Sequence, residues 1–235
     1  MGSRSAFPGI PMPSDDIISD NKFHQRLSEV RSQEGRKTQR LQAVTPPQRT
    51  LYSMPIAERA DKAPEQERIY LFDDEIPSIY SFKFSMRQLQ LEVRRAEKYD
   101  RPLSILVVGF HELSNVRNQY SVMAVDGLLK NIGETLTKYV EQGIDIVGRY
   151  GSEKFVIILP EYHGPAATMV AEEIRKNYEY FRFEYRQHKV PLRASIGIAC
   201  FPQHALNWKE LIARSDLACD MMMERGGNLF GFAPA

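Results

Sequence analysis

Two apolar runs lie almost back to back in this chain, Asp145-Ile-Val-Gly-Arg-Tyr150 and Phe155-Val-Ile-Ile-Leu159. Only Gly151 to Lys154 separates them, so they pair as a tight antiparallel hairpin. A third run, Leu103-Ser-Ile-Leu-Val-Val-Gly-Phe110, is nearly continuous in apolar residues and suits a central strand buried on both faces. Ala194-Ser-Ile-Gly-Ile-Ala199 is another strand of that kind. Strands buried on both faces need helices above and below, and the spacing of apolar residues supplies them. Phe84, Met86, Leu89, Val93 and Ala96 share one side of a helix, as do Met123, Val125, Leu128, Leu129, Ile132 and Leu136. Pro165 to Tyr178 reads as a third helix, and Trp208 to Arg225 as a last one ended by Gly226-Gly227. Phe181, Phe183 and Tyr185 alternate as a strand does, and Asn228 to Phe232 can close a sheet edge. Hairpins mixed with crossovers predict an α+β domain, with helices flanking one mixed sheet.

The residues before this domain read differently. Residues 1–73 hold 7 of the 14 prolines, and 11 Lys/Arg nearly balance 10 Asp/Glu. We expect a largely disordered, flexible N-terminal arm over 1–73 and a folded domain over 74–235. One stretch of the arm, 14–33, suits a short helix. Ser14 can cap it, Asp15 and Asp16 favour its positive end, and Phe23, Leu27 and Val30 form a narrow apolar stripe. Two readings stand: a helix that forms only fleetingly, or a docking helix for a partner groove or for its own domain. Ile69, Tyr70, Leu71 and Phe72 are expected to pack on the domain edge.

Composition narrows the function classes. With 43% hydrophobic and 26% charged residues the chain has enough material for a sizeable core. A net charge of +1 argues against a broad nucleic-acid-binding surface, so no nucleic-acid partner is expected. No run of 18 apolar residues occurs and no secretory leader is readable, so no membrane insertion is expected and a cytoplasmic location is. Cys200 and Cys219 lack metal-ligand spacing and read as buried thiols. No metal and no cofactor are expected.

The hairpin also carries a resemblance. Arg149-Tyr-Gly-Ser-Glu-Lys-Phe155 resembles the RYGG(D/E)EF signature of GGDEF domains, the diguanylate cyclase family. Arg101 to Val108 looks like the family's first core strand, and Ala194 to Ala199 followed by Pro202 like its VSIGIA strand. Ser215-Asp-Leu-Ala218 and Gly226-Gly-Asn228 are similar to its last helix and turn. The resemblance spans about Asp74 to Phe232 and implies a GGDEF-like, nucleotidyl-cyclase or palm-like fold. Family chemistry joins two GTP molecules into cyclic di-GMP, with metal ions held on carboxylates.

Residue by residue, much of that chemistry is replaced. The family's first metal-binding Asp corresponds to Gly109, and a second acidic position to His111. Within the signature, Gly151 and Phe155 persist, Ser152 replaces the second glycine, Glu153 keeps an acid, and Lys154 reverses the charge of the catalytic acid. Phosphate-binding cations of the family fall on Ser114, Met223 and Gly227. In the guanine-reading region Arg117 stands for an Asn and Asn118 for an Asp, while Asp126 matches. The RxxD inhibitory product site keeps Asp145 but has Gln142 for its arginine. The entrance motif of the family, over Asp74 to Phe82, keeps only Asp74 and its apolar pattern.

These departures imply a catalytically inactive, degenerate domain that acts as a protein-interaction or regulatory module in a bacterial assembly or signalling pathway. The alternative is a non-catalytic sensor that binds GTP or cyclic di-GMP weakly through Asn118 and Asp126. Candidate partner contacts are Phe23, Leu27, Val30 and Lys154, the last as a cation for an acidic partner or an exposed residue with no role. Met221, Met222 and Met223 read as an adaptable partner surface or as core filling.

Overall fold

The computed structural model describes residues 65–110, 112–119, 122–185 and 188–234. The expected arm helix with Phe23, Leu27 and Val30, and the loop residue His111, lie outside the described residues.

Helix α1 is Glu65–Leu71 and α2 is Phe82–Tyr99. Ser81 starts α2 by accepting from the Phe84 amide at 3.2 Å, and Asp100, at φ 50°, ends it. Strand β1, Leu103–Phe110, follows, then α3, Glu112–Gln119, and α4, Val122–Leu136, which runs on into a short 3-10 turn at Thr137–Tyr139. The hairpin strands are β2, Ile146–Arg149, and β3, Lys154–Pro160. Next come α5, Gly164–Tyr180, then β4, Arg182–Tyr185, and β5, His188–Pro191. Strand β6, Ala194–Phe201, helix α6, Trp208–Glu224, and strand β7, Phe230–Phe232, complete the domain.

The central sheet has the order β2-β3-β1-β6-β7. Its strands pair antiparallel except β6 with β7, which are parallel. Alternation along β1 divides the core. Leu106, Val108 and Phe110 face α3, α4 and α5, whereas Leu103, Ile105 and Val107 face α2 and α6. All eight β1 residues are buried, which is why their sequence is an apolar run broken only by Ser104, whose hydroxyl donates to Tyr162 O at 2.8 Å. The outer edge of β2 is covered: the Tyr80 amide donates to Val147 O and Tyr80 O accepts from the Arg149 amide, both at 2.9 Å.

Several features differ from expectation, among them helix α1, which falls inside the stretch 1–73 expected to be largely disordered. The aromatic strand Arg182–Tyr185 pairs with β5 in a separate two-stranded sheet, not with the central one. Helix α3 and strand β5 were not expected. Met123 points outward, 79% exposed, while Ala124 takes the buried position. Of the apolar set 69–72, Phe72 is buried and stacks on Tyr80 at 5.7 Å, whereas Ile69 is exposed.

Helix α6 crosses β6 in close approach at Gly197, which has no side chain to hold them apart. A Cβ on Gly197 would stand 2.0 Å from Ser215 O and 2.4 Å from Cys219 N. The Ser215 hydroxyl pins the crossing, accepting from Val107 N at 3.1 Å and donating to Gly197 O at 2.9 Å. This crossing sets what α6 presents over the ends of β1 and β3.

Candidate functional site

The tip of the β2–β3 hairpin and the facing turns of α6 make the candidate site. Gly151 takes φ +117°, a left-handed conformation that favours glycine, and the Tyr150 amide closes the turn on Lys154 O at 2.9 Å. Arg149 folds back on the hairpin, with Glu75 Oε2 at 3.6 Å from its Nη2. It is 9% exposed, donates from Nη2 to Ser152 O at 2.8 Å, and lies over the Phe155 ring at 5.4 Å. Its Nη1 is buried without a hydrogen-bond partner.

Lys154 opens β3, directly across from Gly109 on β1. Asp216 and Asp220 are four residues apart on α6, so they share one face of that helix. The Lys154 Nζ donates to Asp216 Oδ1 and Asp220 Oδ1, each at 2.5 Å. Burial by itself lowers the ammonium's pKa, but the hydrogen bonds to Asp216 and Asp220 together outweigh it, and the net shift is upward. Tyr150 joins through a long 3.4 Å contact to Asp216 Oδ2. Its phenol is raised by burial and then by the Asp216 charge. Beneath this cluster, burial pushes the Cys219 thiol up to about 12, so it stays neutral and packs as an apolar group.

The cradle around Gly109 is full. A Cβ there would meet Met223 Sδ at 2.9 Å and Cys219 Sγ at 3.0 Å, with the Lys154 stem next at 3.6 Å. Of the three adjacent methionines, Met222 is buried and lies against Gly231, and Met223 is partly buried and packs on the core. Met222 and Met223 therefore serve as core filling.

Glu153 turns the other way, with Oε1 at 4.0 Å from Arg117 Nη1 on α3. A neighbouring pair, Glu112 with Arg193, ties the start of α3 to the turn before β6. Glu112 Oε1 accepts from Arg193 Nε at 2.8 Å and Oε2 from its amide at 3.1 Å. Asn118 and Asp126 are exposed on α3 and α4. Asp145 is far from this site. It is buried in the turn before β2, accepting from Glu141 N at 2.7 Å, at the sheet end where Leu103 pairs with Pro160. The tertiary structure brings Ser152, Glu153, Lys154 and Arg117 together and leaves Asp145 apart. Sequence reasoning missed Asp216 and Asp220 as partners of Lys154. Their i, i+4 spacing marked a shared acidic face but not what it would meet.

The metal ions of GGDEF chemistry do not fit these residues. Glycine offers no carboxylate at position 109, sulfur atoms fill the space one would take, and an ammonium occupies the second acidic position. Among the described residues no group of three or more His, Cys, Asp or Glu side chains is arranged to hold a metal. Lys154 and Arg117 face three carboxylates, Asp216, Asp220 and Glu153.

A mixed sheet clad by helices, with a four-residue hairpin tip under the last helix, is the α+β architecture of GGDEF-like domains. The family model described as "Diguanylate cyclase, GGDEF domain" matches residues 72–229, and the chain belongs to the GGDEF family. Diguanylate cyclase A of Treponema denticola is 29% identical over 149 residues, covering 63% of this chain and 40% of that protein. Diguanylate cyclase DosC of Escherichia coli K12 is 25% identical over 156 residues, covering 66% and 34%. This chain thus spans less than half the length of these curated relatives. Among solved structures, the GGDEF domain of YfiN from Pseudomonas aeruginosa aligns with TM-score 0.63 at 22% identity, covering 67% of this chain and 98% of that one. The GGDEF domain of DgcB from Caulobacter crescentus, solved in complex with cyclic di-GMP, aligns with TM-score 0.65 at 17% identity, covering 70% and 94%. These structural likenesses show the shared fold.

Proposed function

We propose that this GGDEF domain does not synthesise cyclic di-GMP and instead serves as a protein-interaction or regulatory module in a bacterial assembly or signalling pathway, in the cytoplasm. One observation carries the reading: Lys154, standing where the family has a catalytic acid, is neutralised from within by Asp216 and Asp220. The ammonium at the position of the catalytic acid is taken up by the domain's own carboxylates. The core of the fold is kept in full while the reacting groups are replaced, as expected of a scaffold that keeps its shape and not its reaction. The partner is another protein, met through the N-terminal arm. No helix among the described residues is long and apolar enough to cross a membrane.

A second reading has one observation in its favour. Ser195 Oγ and Asn228 Oδ1 are buried without a hydrogen-bond partner beside the Gly226–Asn228 turn, at the site end of β6. Buried polar atoms are normally paired, and a nucleotide held without turnover would pair them. Calorimetric titration with GTP plus magnesium, then with cyclic di-GMP, separates the readings. No heat at millimolar ligand is expected for the interaction module. Saturable binding without turnover replaces it with the sensor, and metal-dependent formation of cyclic di-GMP sinks both.

A further inference from the structure

A groove of about 780 Å3 opens at the sheet end remote from the signature hairpin. One wall is α2, which contributes Phe84, Leu91 and Tyr99. From Phe84 to Tyr99 that wall runs about 23 Å at the rise of an α-helix. The other wall holds Ile144 and Ile146 from the turn into β2. Two ion pairs border it, Glu92 with Arg95 at 2.6 Å and Arg101 with Glu161. On its rims Tyr99 and Ile144 are 57% and 49% exposed.

The described chain begins at the edge of this groove. Helix α1 packs on α2 through Tyr70 and Phe84, whose rings meet edge-on at 6.3 Å, and Phe84 itself lines the groove. The 64 residues before Glu65 are therefore tethered at its rim. Those from 34 to 64 reach at most about 100 Å when extended, enough to return any earlier segment to the groove. One earlier segment has the matching pattern: Phe23, Leu27 and Val30 at i, i+4 and i+7, with Arg26 and Arg31 close by. A helical stripe of that kind fits a wall of several helical turns. Tethering supplies an effective concentration on the order of millimolar, so even weak contacts hold.

We propose that residues 14–33 of this chain dock in the groove between α2 and the turn into β2, with Phe23, Leu27 and Val30 against Phe84, Leu91 and Ile144. This deepens the interaction-module reading and rests on it.

Limited trypsinolysis of the full chain, followed by mass spectrometry, tests this. Docking is expected to slow cleavage after Arg26 and Arg31 roughly tenfold relative to Lys37 and Arg40, because a bound segment must open before it is cut. Leu27→Glu in the arm and Leu91→Glu in the groove should each remove the protection. Ile144→Glu, at a half-exposed rim position, serves should Leu91→Glu fail to fold. Equal cleavage rates at the four sites in the wild type overturn the proposal. So does protection that survives both groove variants, or protection lost on dilution, which would mean a second copy supplies the arm. The readout contains no nucleotide, so its failure is distinct from a failure of the calorimetric test.

Discussion

The ammonium of Lys154 lies 2.5 Å from Asp216 Oδ1, across 62 residues of sequence, and joins the signature hairpin to the last helix. Asp220 makes the same contact from one helical turn further on. The charge reversal at position 154 therefore comes with its own counter-charges.

Replacing Lys154 with methionine leaves Asp216 and Asp220 facing each other with no cation between them. The pair is partly exposed, so the cost is about 1–2 kcal/mol. Urea denaturation should show a lower midpoint with an unchanged slope. Lys154→Met combined with Asp216→Asn and Asp220→Asn should recover most of the loss. If the single variant matches the wild type, the contact is an ordinary surface pair.

Alkaline pH should weaken the fold in two stages. The Cys219 thiol has an ordinary value of 9.0 but is held up to about 12 in the folded state by burial. Unfolded thiol ionises from about pH 9 and folded thiol does not, so stability falls across that window. The Lys154 ammonium is raised above 10.5, so its contribution is complete below that pH and is lost as pH rises through the folded value. Denaturant midpoints measured from neutral to alkaline pH should begin to fall near pH 9. Cys219→Ala should make that early fall shallower without abolishing it, because burial raises the Cys200 thiol in the same direction, and Lys154→Met should flatten the later fall.

Restoring the family's acid with Gly109→Asp should not restore a metal site. The new side chain meets Met223 Sδ and Cys219 Sγ in a buried position. Overpacking and a buried carboxylate should cost about 1–3 kcal/mol. Thermal denaturation should show the loss, with no stabilisation on adding magnesium. Magnesium-dependent stabilisation of this variant would mean that the cradle can open.

Gly197→Ala should be the most damaging small change in the domain. Its Cβ would meet backbone atoms of Ser215 and Cys219, which cannot swing aside as a side chain can. A loss above about 3 kcal/mol or failure to fold is expected. Circular dichroism and soluble yield report it, and a stable Gly197→Ala protein would show that α6 can lift off β6.

The strands were legible wherever both faces of the sheet are covered. Burial on both sides forces nearly continuous apolar runs, so Leu103–Phe110 was read with the bounds it has in the structure. Helix α3 was not legible. Leu113 and Val116 are its only buried apolar residues, too few to set a period. Met123 misled because its spacing is equally compatible with Ala124 facing the core, and small residues carry little weight in an apolar pattern.

Family membership was settled by the sequence by itself, because the signature, the strand runs and the glycine turn are local features read at fixed spacing. The replacement of acids at Gly109 and Lys154 was visible there too. What Lys154 does was decided only by tertiary structure. An exposed cation and an internally paired one have the same local sequence. The difference arises because Gly197 lets α6 lie directly on β6, and that crossing delivers Asp216 and Asp220 to a lysine more than sixty residues earlier.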